Sequence, residues 1–194
     1  LIGARNRRNL KLILSFSGSY LFAISVLHLI PEVYSTADKT IGIFIIIGFF
    51  FQILLEFFSE GIEHGHIHVH KHNDHQHIAF PTAVILSLCV HSFLEGMPLA
   101  ESTDTSKRLL AGIVLHNIPV AFALMAMLTD SGVKKKTSVL LLILFASMAP
   151  IGAMLSSGLS SNQEMLNLTQ YHDRIMALVI GIFLHISTTI LFVS

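Results

Sequence analysis

Residues 83–100 read Ala83-Val84-Ile85-Leu86-Ser87-Leu88-Cys89-Val90-His91-Ser92-Phe93-Leu94-Glu95-Gly96-Met97-Pro98-Leu99-Ala100, and this stretch decides the fold class. As a helix rising 1.5 Å per residue it reaches most of the way across the roughly 30 Å hydrocarbon core of a bilayer. A soluble amphipathic helix would show a continuous polar face, which this run lacks. A hydropathy window of about 19 residues extends it to residues 78–100 and finds five more of its kind. They cover residues 10–34, 40–58, 108–129, 137–158 and 174–193. In lipid the backbone must satisfy its own hydrogen bonds, and unbroken apolar runs of this length read as helices rather than barrel strands. The expectation is an all-α, polytopic transmembrane bundle of six spans, a single membrane domain over residues 1–194.

Composition points the same way. Of the 194 residues 53% are apolar and only 12% charged, against about 25% charged in soluble domains. Mean hydropathy is +0.70. The lipid bilayer is therefore the first partner to expect, and the protein reads as integral to a plasma or inner membrane. Lysine plus arginine equals aspartate plus glutamate, at 12 each, so no basic patch invites nucleic acid. Cys89 is the single cysteine, which excludes an internal disulfide and a multi-cysteine zinc site. Histidine is the excess: 12 residues, as many as all lysines and arginines together. The chain starts at Leu1 with Arg5, Arg7 and Arg8 ahead of a span too long for a signal peptide, and it stops at Ser194 just after an apolar run. It reads as an internal piece of a longer protein.

Loop charges orient the spans. Arg5, Arg7, Arg8, Lys11, Lys71, Lys134, Lys135 and Lys136 fall on one side, eight in all, and Lys39, Lys107, Arg108 and Arg174 on the other. The richer side is cytoplasmic, which places the loop at residues 59–77 in the cytoplasm. That loop holds His64, His66, His68, His70, His72, His75 and His77, seven histidines in 14 residues. Neutral imidazoles in a polar tract make a metal-binding segment suited to buffering or sensing, at an ordering cost whenever it closes on an ion. A polar linker that is merely rich in histidine is the alternative.

Ionisable groups inside spans cost at least about 2.5–3.5 kcal/mol on insertion scales and so mark candidate function. His91 and Glu95 are four residues apart and share a helical face. The next span carries Leu115-His116-Asn117-Ile118-Pro119-Val120, which brings His116 to a comparable depth on an antiparallel neighbour. Two imidazoles and a carboxylate suit zinc, and also iron, manganese or cobalt, with a coordination position left open. From spacing alone a His91–Glu95 ion pair with His116 merely hydrogen-bonded stays open as well. His28, with Glu32 beside it at the outer end of the first span, and His185 in the last span read either as accessory ligands or as packing residues. Pro31, Pro98, Pro119 and Pro150 each free a carbonyl four residues earlier. Such breaks line cavities in transporters but are also tolerated as kinks. The span glycines fit close helix packing at least as well as any function.

In their order these motifs resemble the ZIP family of divalent metal transporters. Ser17-Gly18-Ser19-Tyr20-Leu21 running to His28-Leu29-Ile30-Pro31-Glu32 is similar to that family's second helix. His91-Ser92-Phe93-Leu94-Glu95-Gly96 resembles the fourth-helix signature and Leu115-His116-Asn117-Ile118-Pro119 the fifth. Ser147-Met148-Ala149-Pro150-Ile151-Gly152 and Gly181-Ile182-Phe183-Leu184-His185 are similar to parts of the sixth and seventh, and the histidine-rich loop lies where the family often has one. The family has eight helices, so the resemblance implies that the first and last are absent from these six. It implies a transport site of His91, Glu95 and His116, lined by Tyr20, with Ser92, Asn117, His28, Glu32 and His185 along the pathway. The family's two-metal version has Asn at the position of Ser92 and acidic residues at those of Asn117, Val120 and Ala149, so the resemblance implies a single metal here.

The expected function is movement of Zn2+, or of Fe2+, Mn2+ or Co2+, into the cytoplasm by alternating access, with the ion as cargo and no cofactor. A homodimer is compatible with this reading. A non-transporting metal sensor using the histidine-rich loop is the alternative. An intramembrane metallohydrolase is a weaker one, since the chain has no His-Glu-x-x-His motif and Glu95 serves better as a ligand than as a base.

Overall fold

The computed structural model describes residues 4–35, 38–59, 82–100, 104–161 and 168–193. The seven loop histidines from His64 to His77 lie outside the described residues. Among the described residues the chain is helical apart from short turns, with no strand, and six helical segments are long and apolar enough to cross a membrane. The first comprises α1 (Ala4–Ile24), a π-helical turn (Ser25–Leu29) and α2 (Ile30–Tyr34). The others are α3 (Ile41–Ser59), α4 (Thr82–Gly96) with a 3-10 extension (Met97–Ala100), α5 (Asp104–Asp130), α6 (Lys135–Ser161) and α7 (Leu168–Val193).

The prolines act differently at each site. Pro31 lacks a donor and its ring crowds the Leu27 carbonyl; the chain answers by widening into the π turn just before it and then carries on as helix. Pro98 coincides with the narrowing to 3-10 geometry at the end of α4. Pro119 and Pro150 sit inside α5 and α6, which run through them as single helices. These two are tolerated within their helices, and helix type changes only near Pro31 and Pro98.

The end of α5 is written into its sequence. Gly132 adopts φ 70°, the left-handed conformation in which glycine carries no Cβ penalty. Its N–H donates to the Thr129 carbonyl at 3.0 Å, and the Val133 N–H donates to the Leu128 carbonyl at 3.1 Å. This is a Schellman stop, and Val133 packs with Leu128 in the same apolar cluster, completing it. The turn then sends the chain into α6.

Two helix pairs are packed backbone to backbone. A methyl group at Gly48 of α3 would run into the Leu178 carbonyl of α7, and one at Gly181 of α7 into the Ile45 carbonyl of α3. The same reciprocity joins α4 and α6: Gly96 faces the Ala149 carbonyl and Gly152 the Phe93 carbonyl. Small residues allow this approach where lipid supplies no hydrophobic drive between helices. Apolar clusters fill the rest. Leu21, Leu29, Ile41, Leu109, Ile180 and Phe183 join the first helix, α3, α5 and α7. Leu88, Val120, Leu124 and Phe145 join α4, α5 and α6. Outward-facing residues such as Ile46, Phe50, Phe57, Leu140, Ile143 and Met154 are exposed, as suits a lipid-facing surface.

Candidate metal centre

α4 presents His91 and Glu95 on one face, one turn apart, and α5 presents His116 opposite them. All three are fully buried. Among the described residues these are the three His, Cys, Asp or Glu side chains that offer clustered ligand atoms, all within 4.8 Å of one another. His91 Nε2 lies 3.1 Å from Glu95 Oε1, and the His91 and His116 rings meet edge to face with centroids 6.0 Å apart. Asn117 Nδ2 donates to the other carboxylate oxygen, Oε2, at 3.4 Å. His91 and Glu95 stand at ion-pair distance, and the third ligand, His116, stands beside them.

The second nitrogen of His91 adds an electrostatic constraint. Its Nδ1 lies 3.1 Å from Oε1 of Gln52, which is fully buried on α3. A carboxamide oxygen only accepts, so Nδ1 carries the hydrogen and donates. His91 Nε2 is thereby turned towards a carboxylate oxygen, and two lone pairs facing each other at this depth repel strongly unless a cation lies between them. A proton on Nε2 is one such cation. A divalent ion held by His91, Glu95 and His116 is another, and it engages all three donors while keeping a coordination position open.

The remaining residues singled out in the sequence occupy other places. Ser92 Oγ donates to the Phe145 carbonyl of α6 at 3.5 Å, on the α4–α6 seam. Tyr20 Oη donates to the Arg108 carbonyl at 3.0 Å, and its ring packs over Gly112, on the seam between α1 and α5. His28 accepts from Arg108 Nη1 at 2.9 Å. Glu32 is exposed and lines a small crevice with Thr105, Ser106 and His172. The π turn carries one residue more than an α turn and rotates the residues after it, so the four-residue spacing of His28 and Glu32 does not pair them as it pairs His91 with Glu95.

His185 is buried on α7, 2.6 Å through Nε2 from Glu56 Oε2 of α3, with Phe49 edge-on to its ring at 5.0 Å. Gln52 and Glu56 both escape the sequence reading. Glu56 carries a signal, being the single carboxylate in the 40–58 run, where an ionisable group is costly. Gln52 carries almost none, since a neutral amide barely lowers the hydropathy of the surrounding phenylalanines and isoleucines.

The sequence profile of the ZIP zinc transporter family matches residues 75–193, more than half of the chain and all three residues of the buried cluster. The chain belongs to the ZIP zinc transporter family. It is 28% identical over 165 residues to the zinc transporter ZIP9 of Xenopus tropicalis, covering 80% of this chain and 52% of that protein. It is 30% identical over 155 residues to the ZIP9 of Micropogonias undulatus, covering 76% and 49%. The chain thus spans about half the length of these curated relatives. No solved structure matches it. ZIP proteins are transporters rather than enzymes, so the hydrolase reading is set aside. Family and spans together make this an integral membrane protein.

Proposed function

We propose that the chain forms the core of a transporter that carries zinc, or a related divalent ion such as Fe2+, Mn2+ or Co2+, into the cytoplasm of the cell across its plasma or inner membrane. The observation that carries this is the cluster itself: three metal-ligand side chains from two neighbouring spans, fully buried, with donor atoms within 4.8 Å. Charged groups placed so deep are expensive, and a cation offsets the cost. Three protein ligands rather than four leave the ion exchangeable, as cargo must be.

In this mechanism the ion is captured at the outer end of the first span, near His28 and Glu32, loses part of its hydration, and binds His91, Glu95 and His116. Asn117 holds one oxygen of Glu95 and leaves the other for the ion. Helix groups then rock to open the site inward, in alternating access. The two glycine-locked pairs, α3 with α7 and α4 with α6, are the natural rigid bodies for this motion. Release passes the Glu56–His185 pair towards the histidine-rich loop, whose residues His64 to His77 take up the ion.

Radioactive zinc uptake by proteoliposomes carrying the full-length protein tests this. Saturable flux that His91→Ala/Glu95→Ala removes is the expected result. Flux unchanged in that double variant overturns the site. Binding without flux in the parent protein overturns transport and favours a metal sensor.

A further inference from the structure

Gln52 stands at a junction that neither the ligand set nor the family match assigns. It lies on α3, whose Gly48 locks that helix to α7. Its carboxamide oxygen reaches His91 on α4, whose Gly96 locks that helix to α6. The Gln52–His91 bond therefore runs from one helix pair to the other, and it does so at a residue that would bind the ion. Gln52 is fully buried in a run of isoleucine, leucine and phenylalanine, where an apolar residue would insert at lower cost.

We propose that Gln52 is the positioning residue of the transport site: it fixes His91 with Nδ1–H engaged and Nε2 turned to the ion, and it ties the ion-bearing helices to α3–α7. Metal-binding imidazoles commonly donate their second N–H to such a partner, which sets the tautomer and raises the basicity of the ligating nitrogen. Here that partner comes from the opposite helix pair. Displacement of α4–α6 along α3–α7 must break this bond, so the ion is held most tightly in the arrangement seen here and loosens once the pairs have slipped. One side chain thereby links affinity to helix position. This inference rests on the transport reading for its second half, and on the geometry of His91 alone for its first.

The test uses the full-length protein with the seven loop histidines replaced by serine, so that zinc binding reports the intramembrane site. Gln52→Met keeps the length and volume of the side chain but removes the carboxamide acceptor. Gln52→Glu restores an acceptor at the same reach. Zinc dissociation constants are measured in detergent, and KM and Vmax for uptake in proteoliposomes. Gln52→Met is expected to weaken zinc binding about 10–100-fold, the usual cost of losing such a partner, with KM raised accordingly. Gln52→Glu is expected to recover the parent affinity or exceed it, with Vmax lowered because the tie between the pairs is stronger.

A Gln52→Met protein that binds zinc like the parent overturns the proposal, as does a Gln52→Glu protein as weak as the Met variant. Either result reduces Gln52 to a packing residue. If the parent binds zinc in a Gln52-dependent way yet moves none, the positioning half stands and the transport reading fails. If uptake needs His91 but is indifferent to Gln52, the reverse holds.

Discussion

Asp38 shows how much one residue between spans can organise. Its Oδ1 accepts from both the N–H and the hydroxyl of Thr40, at 2.8 and 2.7 Å, and its Oδ2 accepts from Arg174 Nε at 2.9 Å. Arg174 also lies over the Phe44 ring. Asp38 thus fastens the start of α3 to α7 outside the apolar zone. The Thr40 hydrogen bonds, with Arg174 assisting, hold its carboxyl down at about 2, against about 3.9 for a free aspartate. A folded value below the unfolded one means stabilisation that is complete above about pH 4 and is lost as the pH falls towards 2. Thermal melting of the parent and of Asp38→Asn should therefore differ at neutral pH and converge through that acidic window. Curves that stay parallel down to the lowest pH would contradict it. At the buried cluster, Glu95→Gln removes the only anion among the three donors, and zinc affinity should fall by tenfold or more, about 1.4 kcal/mol at the least. Titration calorimetry on a protein with the loop histidines silenced would read this directly.

At the scale of elements, the glycines separate into those that matter for packing and those that do not. Gly48→Ala places a methyl group against the Leu178 carbonyl, which is backbone and cannot swing aside. The α3–α7 pair must part, and a loss of about 1–3 kcal/mol is expected in reversible detergent unfolding. Gly158→Ala meets nothing within 4 Å and lies within α6, so it should be neutral or stabilising by up to about 1 kcal/mol. Equal effects at the two positions would mean that the close approach carries no energy. Gly132→Ala should cost about 1–2 kcal/mol through its left-handed backbone alone, without touching any helix seam.

At the scale of the molecule, the register of contacts agrees with six spans that alternate in direction. Along α4 and α6 the contacts advance together from Ser92 with Phe145 to Gly96 with Ala149, and along α3 and α7 from Asp38 with Arg174 to Glu56 with His185. Both pairs therefore run parallel, as helices an even number of spans apart must if every span crosses. Single cysteines at Lys39 and Lys134 should accordingly label from opposite faces of the membrane, Lys134→Cys from the cytoplasm. Cys89, buried at 8% exposure, should stay silent in both. Labelling of both positions from one side would break the alternation and the orientation read from the loop charges.

Much of the fold is legible in the order of residues alone. Span number, helical class, and the pairing of His91 with Glu95 rest on hydropathy and on the 3.6-residue period, which are local properties of the chain. His116 could be named as the third donor because a short connection forces two successive spans to lie side by side. Only the tertiary structure decided which distant helices touch. Gln52 on α3 meets His91 on α4, Glu56 meets His185 across 129 positions, and Arg108 rather than Glu32 meets His28. None of these contacts can be read from spacing, because lipid-facing and protein-facing sides of an apolar helix look alike in sequence. Only packing, through glycines that admit a neighbouring backbone and a π turn that rotates one face, selects the side turned inward.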